Sequence, residues 1–431
     1  MLQHPQSSRA SVARAFPLVL LALALALTLP AAGRNKKSAS ADAPKPGDQR
    51  TKVYLDISKI VWPNPPAIAR IRFVDLFTGQ KVDPTLFASK KAKQKWMDRL
   101  AGAQSADQVD MSKLPYQLLR PFGVAFDSKG RVYTADQGVA AIFIFDPETK
   151  SVELIGNGSH ANFGLILGLA IDDNDRIFVS DTKLHRVLVL NAKHEQEASI
   201  GMDMLANPGG LAIDKDNRFL YVVDTGNDVV DVFDADTFKL LRKIGKSSRK
   251  HTQTDPGTFS LPTNVALDRE GNVYVTDTFN NRVEIFDADG NFISMFGKNG
   301  DGPGEFERPK GIAVDADGHI WVVDSAQDRV KVFDRDGRLL IYFGTHGDYP
   351  GQFRAAYGIA IDNKNRVITS ETFPGRLQLF RYVTDAEAAD EKARREGAEQ
   401  KSAEAVVPEQ KPAALPSQGT AVMENKNSAA H

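Results

Sequence analysis

Between residues 121 and 382 the chain states one pattern six times, and this repeat constrains the fold more than any other feature. The clearest copies are PTNVALDREGNVYVTDTFNNRVEIFDADGNFISMFG, which begins at Pro262, and PKGIAVDADGHIWVVDSAQDRVKVFDRDGRLLIYFG, which begins at Pro309. The other copies begin at Pro121, Leu167, Pro208 and Tyr357. The first acid of each copy is Asp127, Asp172, Asp214, Asp268, Asp315 or Asp362, which gives steps of 45, 42, 54, 47 and 47 residues. A second acid follows nine residues later, or ten in the third copy: Asp136, Asp181, Asp224, Asp277, Asp324 and Glu371. A period of about 40–50 residues marks propellers and solenoids.

Within one copy, GIAVD, HIWVVD and RVKVFD are short runs rich in Val, Ile and aromatic residues, which suit strands. A fourth run, such as LLIYFG or FISMFG, ends each complete copy. Asp-Gly at 289–290, 317–318 and 336–337 supplies the left-handed residue that tight hairpins need. Four antiparallel strands per copy, six times over, predict an all-β, six-bladed β-propeller. The sixth copy stops at Tyr382 after three strands. Far upstream, residues 69–79 read ARIRFVDLFTG and resemble the missing fourth strand. Their pairing closes the ring with its two chain ends and covers sheet edges that would otherwise invite aggregation. Pro63, Pro65 and Pro66 form a rigid lead-in to that strand.

The repeats resemble NHL repeats, a six-bladed propeller family, over residues 69–382. The likeness rests on the G-[IVL]-A-[VIL]-D opening, the step Val223-Asp224-Thr225 and the turn Asn281-Arg282-Val283. A recurring P-G-x-F spacer adds to it, at Pro256-Gly257-Thr258-Phe259, Pro303-Gly304-Glu305-Phe306 and Pro350-Gly351-Gln352-Phe353. This resemblance implies a fold more than a function, since such propellers serve as RNA-binding modules, sensor domains, amidating lyases and exported bacterial proteins. The chain looks most like the last group.

A length of 431 residues suits two or three domains of about 150 residues, but the repeat predicts one ring over 69–382. Arg9 and Arg14, an uncharged run over 15–29 and Ala31-Ala32-Gly33 stand in the order of a secretory signal over 1–33, with an uncleaved anchor as the alternative. The run is 15 residues, short of the ~20 that span a bilayer. A periplasmic or secreted protein is expected, with no transmembrane span after signal removal. The chain has no cysteine, which excludes a lipoprotein anchor, disulfides, iron–sulfur clusters and thiolate zinc sites. Residues 34–68 read as a linker and 88–101, with Trp96, Met97 and Leu100, as a short helical insertion. Residues 383–431 read as a charged, largely disordered tail with a solvated helix in its first part. A net charge of -1 argues against nucleic-acid partners.

Four second acids have an arginine five residues later, and each pair is expected to meet across a hairpin: Asp181 with Arg186, Asp277 with Arg282, Asp324 with Arg329, and Glu371 with Arg376. Asp287-Ala-Asp289-Gly290 and Asp334-Arg-Asp336-Gly337 imitate the start of a calcium loop but lack its later ligands. The amidating-lyase resemblance implies zinc-binding histidines just before the innermost strands. Those positions here hold Phe122, Leu167, Gly209, Thr263, Lys310 and Tyr357, and His185 stands without companions. A lactonase-like site would draw on Asn264 with Asp136, Asp224 and Asn207. No metal or other cofactor is expected.

A binding face has the better physical basis. Loops before the innermost strands converge on one mouth of the channel and carry unlike residues: Phe122, Thr263, Asn264, Lys310 and Tyr357. The long third step adds a basic loop with Lys246, Arg249, Lys250 and His251. The sequence thus predicts a monomeric, exported, non-catalytic scaffold that binds an envelope protein or small ligand at one face. The alternative is a metal-dependent lyase or lactonase that uses the channel.

Overall fold

The computed structural model describes residues 56–78, 117–158, 161–247 and 255–406, the last five as backbone alone. The signal segment, most of the linker, the 88–101 helix, His160, Arg249, Lys250, His251 and the tail beyond 406 lie outside the described residues.

The chain forms a six-bladed propeller of four-stranded antiparallel sheets. Blade 1 runs outward from Pro121–Phe126 through Val132–Asp136 and Ala141–Phe145 to Val152–Ile155. Blades 2 to 5 repeat this order. The innermost strands neighbour one another in a closed circuit, with Ala356–Ile361 of blade 6 returning to Pro121–Phe126 of blade 1. The second strand of each blade is buried almost throughout, as in Val273–Asp277, because neighbouring blades cover both of its faces. The outermost strands are the most exposed of each blade, and Leu240–Ile244 and Leu339–Phe343 alternate between half-buried and exposed.

The hydrophobic core lies between blades. Each of six buried clusters joins two adjacent blades; one of them packs Phe77, Leu377 and Leu379 of blade 6 against Val132 and Phe143 of blade 1. Side-chain hydroxyls stitch the same seams near the axis. Ser180 Oγ donates to the Gly209 carbonyl at 2.6 Å, Thr276 Oγ1 to that of Lys310 at 2.8 Å, and Ser370 Oγ to that of Phe122. The glycine after these carbonyl positions allows the approach, since a Cβ on Gly311 would stand 2.4 Å from the Tyr357 carbonyl oxygen. Gly311→Ala is therefore expected to cost about 1–3 kcal/mol by forcing blades 5 and 6 apart, read as a lower melting temperature.

Both chain ends build blade 6. Ile71–Phe77 pairs antiparallel with Arg376–Tyr382, with Ile71 opposite Tyr382 and Phe77 opposite Leu377. The expected linker is corrected over 56–68: Val61–Trp62 adds a fifth strand beside Ile71 and Arg72. Trp62 sits there because its indole meets Phe343 at 5.3 Å and Phe380 at 5.9 Å. Helix α1, Asp385–Val406, follows the last strand and lies against the closing segment through Arg70–Asp385 and Arg72–Glu391 ion pairs, the latter 2.6 Å long. Among the described residues no helix is long and apolar enough to cross a membrane.

The P-G-x-F spacers have a structural role that the sequence pattern did not explain. Phe259, Phe306 and Phe353 are fully buried. A buried polar residue on the third strand of the same blade holds each spacer. Glu284 accepts from Gly257 N at 2.7 Å, Lys331 donates to the Glu305 carbonyl, and Gln378 accepts from Gly351 N at 2.8 Å and donates to the Gln352 carbonyl at 2.7 Å.

Candidate functional site

Strand direction alternates within each blade, so the ring has two chemically different faces. The turn face gathers the hairpins after the innermost and third strands. The entry face gathers the loops that lead into each innermost strand, together with the hairpins after the second strand.

On the turn face, the first acid of each copy organises its own hairpin. Asp127 Oδ1 accepts from Lys129 N at 3.1 Å and Arg131 N at 2.8 Å, while Arg131 Nε reaches Oδ2 at 2.7 Å. Asp172 with Arg176 and Asp362 with Arg366 repeat this unit. These hairpins surround a cavity of 410 Å³ that opens onto the channel, to which each blade contributes an aliphatic side chain: Val124, Leu169, Leu211, Val265, Ile312 and Ile359. A second cavity of 290 Å³ adjoins it beneath Asp214, Asp268 and Asp315. The sequence placed the binding mouth at the other end of the ring, because an aliphatic position repeated in every copy looks like core and not like the wall of a bore.

Asp315, Asp317 and His319 bring three possible metal-ligand atoms within 4.8 Å of one another. The buried Asp315 carboxylate is already engaged: Oδ1 accepts from Asp317 N and His319 N, and Oδ2 accepts from Trp321 Nε1 at 2.9 Å and faces His319 Nδ1 at 3.0 Å. That bond to Asp315 holds the His319 pKa above its ordinary value. The donor set is that of a fastened hairpin. The calcium-like loops behave alike, with Asp287 accepting from Asn291 and Asp334 from Arg338.

On the entry face, the six second acids hold the loops that lead into the innermost strands. Asp136 accepts from Leu119 N and Arg120 N, Asp181 from Gly164 N and Leu165 N, and Asp224 from Ala206 N and Asn207 N. Asp277, Asp324 and Glu371 do the same with Ser260, Arg308 and Arg354. Backbone amides are thus the shared partner. Arginine is an addition in two blades, Arg282 to Asp277 at 3.0 Å and Arg376 to Glu371 at 2.7 Å. The other two expected pairs are corrected. Lys331, fully buried, takes the place beside Asp324 at 3.5 Å, and Arg329 stacks on Tyr342 instead. Arg186 turns to the Asn162 carbonyl at 2.7 Å, while amides satisfy Asp181. Of the lactonase-like set, Asp136 and Asp224 are engaged by backbone amides within their own blades. His185 Nδ1 lies against the Ala206 carbonyl.

Four of the five expected mouth residues gather at the entry end of the channel. Phe122 and Tyr357 meet edge to face with ring centroids 4.7 Å apart. Lys310 Nζ lies 5.3 Å from the Tyr357 ring centroid, and the Asn264 carboxamide stands beside the Tyr357 hydroxyl. Thr263 is turned aside; its hydroxyl is buried against Thr276 and Thr278 and serves packing. Burial and the neighbouring Arg308 bring the Lys310 ammonium down to about 8. Burial pushes the Tyr357 hydroxyl up.

Around this mouth the entry face carries exposed large apolar side chains: Leu119, Leu165, Met202, Met204, Phe279 and Phe373. Tyr349 joins them at 73% exposure. Arg308 and Arg354 stack on Phe279 and Phe373, with their guanidinium carbons 6.0 and 4.6 Å from the ring centroids. Sequence reading missed this group because Leu119, Leu165, Met202, Met204 and Tyr349 sit in loops of unequal length outside the aligned repeat, while Phe279 and Phe373 occupy a hairpin position that other copies fill with small or polar residues.

Comparison with known proteins agrees with the fold. A protein family described as a 6-bladed beta-propeller (DUF5128) matches residues 262–330. A probable peptidyl-alpha-hydroxyglycine alpha-amidating lyase of Caenorhabditis elegans is 28% identical over 110 residues, which are 25% of this chain and 31% of that protein. The match thus spans about a third of the relative's length. A structural-genomics protein of unknown function from Bacteroides thetaiotaomicron superposes with a TM-score of 0.50 and 19% identity, covering 62% of this chain and 70% of that one. Virginiamycin B lyase of Staphylococcus aureus gives a TM-score of 0.45 and 12% identity, over 62% of this chain and 96% of that one.

Proposed function

We propose that this NHL-type ring is an exported, non-catalytic binding module of the cell envelope whose entry face docks a protein partner. The observation that carries the reading is the contrast between the two ends of the ring, the other exposed large apolar side chains lying mostly on the outermost strands of the blades. Exposed Leu119, Leu165, Met202, Met204, Phe279, Tyr349 and Phe373 all lie on entry-face loops, whereas Asp, Lys, Asn and Gly dominate the turn-face hairpins after the innermost strands. Apolar and aromatic groups on one face, interleaved with arginines, have the composition of a recognition surface.

The test is capture from the native envelope fraction by purified wild type, by a Phe279→Ser/Phe373→Ser double variant and by a turn-face Lys215→Ser/Lys364→Ser control. The expected result is a discrete partner held by wild type and control and reduced at least tenfold by the entry-face variant, the size of loss typical of removing two aromatic anchors. Equal retention by all three proteins would sink the reading. A second reading, a metal-dependent lyase, takes its support from the partial identity to the amidating lyase. A stoichiometric, tightly held divalent ion in unchelated protein would favour it over the scaffold.

A further inference from the structure

The entry end of the channel holds a cation that the protein itself leaves unneutralised. Lys310 opens the innermost strand of blade 5, close to the axis of the ring. Among the described residues it has no carboxylate at ion-pair distance; the charged group that acts on it is Arg308, a second cation. Its one close aromatic contact is the Tyr357 ring at 5.3 Å. A cation–π contact is weaker than the cost of desolvating an ammonium, so it does not account for a lysine held in this place. Beside it, Asn264 Nδ2 is buried, and its polar neighbour, the Tyr357 hydroxyl, stands beyond ordinary hydrogen-bond geometry. That asparagine stands where the other five blades have glycine: Gly123, Gly168, Gly210, Gly311 and Gly358. Phe122, Asn264, Lys310 and Tyr357 all keep some accessible surface although they lie at the centre of the ring. An ammonium, a buried amide donor and two aromatic rings therefore meet at the entry end of the channel.

We propose that this end of the channel binds the carboxylate of a small organic acid, with Lys310 as its counter-ion, Asn264 Nδ2 as a donor, and Phe122 and Tyr357 against the acid's apolar body. One ammonium matches one negative charge, so a monoanion is favoured over a phosphate dianion, which would leave uncompensated charge in an apolar bore. The inference concerns a ligand inside the channel and stands whether or not a protein docks on the rim.

The charged and titratable groups near the site are Lys310 itself, Arg308 at the rim and the Tyr357 hydroxyl. Asp324 of the same blade is engaged by Arg308 N and by Lys331. Lys310 titrates near 8, so above that pH the anion binds only with uptake of a proton. Affinity then falls about tenfold per pH unit.

Calorimetric titration of the full chain tests this, with benzoate as probe and neutral benzamide and inorganic phosphate as comparators. The expected result is saturable 1:1 benzoate binding at millimolar concentration or below, at least tenfold tighter than either comparator, and at least tenfold weaker near pH 9.5 than at pH 7. Lys310→Met should remove it without lowering the melting temperature, and Asn264→Gly should weaken it several-fold. Absence of benzoate binding to the wild type, equal affinity for benzamide, tighter phosphate binding, or undiminished binding by a folded Lys310→Met protein would each overturn the proposal. Equal capture by wild type, entry-face variant and turn-face control, with benzoate binding intact, would count against the docking reading alone.

Discussion

Deleting residues 53–79 is expected to abolish folding of the ring. The closing strand buries Ile71, Phe73 and Phe77, and the strand before it buries Val61 and places Trp62 against Phe343 and Phe380. At about 1.5–3 kcal/mol per fully buried large side chain, these residues contribute on the order of 10 kcal/mol. Net stabilities of about 5–15 kcal/mol leave little after such a loss. The deletion also uncovers the ladder edge of Arg376–Tyr382, a template for aggregation. Solubility, circular dichroism and thermal melting of the truncated chain check this, and a soluble, cooperatively melting product would show the strand to be dispensable. Phe73→Ala in the full chain gives the graded version. Its ring meets Phe380 at 5.6 Å, and truncation is expected to cost about 3–5 kcal/mol.

The second large effect is expected at Arg282. Its guanidinium lies 3.0 Å from Asp277 and 2.6 Å from Glu284, and all three side chains are buried. It also donates to the Thr258 carbonyl, which holds the spacer before blade 4. Arg282→Ala leaves two buried carboxylates without their counter-charge, for an expected loss of about 3–5 kcal/mol above pH 7. Burial already pushes Glu284 up to about 7 and raises Asp277. A carboxyl whose folded pKa lies above its unfolded value favours the folded state at low pH, and this contribution is lost as pH rises through the folded pKa. The deficit of Arg282→Ala should therefore be small near pH 4.5 and grow to its full size above pH 7. Denaturant unfolding of both proteins across that range reads it out. A deficit independent of pH would show that packing, and not charge, is what Arg282 supplies.

The fold was legible because its determinants are local and repeated. A strand of four to six residues, a hairpin closed by an aspartate and a fixed period leave their marks on consecutive residues. Asp268 with Asn272, and Asp362 with Arg366, are both four-residue relationships. The closing strand was legible by likeness to its counterparts, although Val61–Trp62 beside it was not, since two residues before a proline carry no period. The acid–arginine pairs were half legible. Sequence spacing put Asp324 and Arg329 opposite one another, as their backbones are, but it could not show that Lys331, two residues further along the same strand, would reach the acid first.

The sites divide along the same line. Phe122, Asn264, Lys310 and Tyr357 were found because they break the pattern at two adjacent positions of the repeat. The turn-face cavity was missed because its walls obey the pattern. Most of the exposed apolar group on the entry face was missed because loops of unequal length carry it. The sequence by itself determined the number of blades, the strand order within each and the use of both chain ends, because these follow from short-range turn chemistry and β-pattern repeated six times. Only the tertiary structure decided which residues face one another across the axis. There, positions 47 to 235 residues apart are brought side by side, as Lys310 and Tyr357, or Phe122 and Tyr357, are, and no local rule encodes that distance.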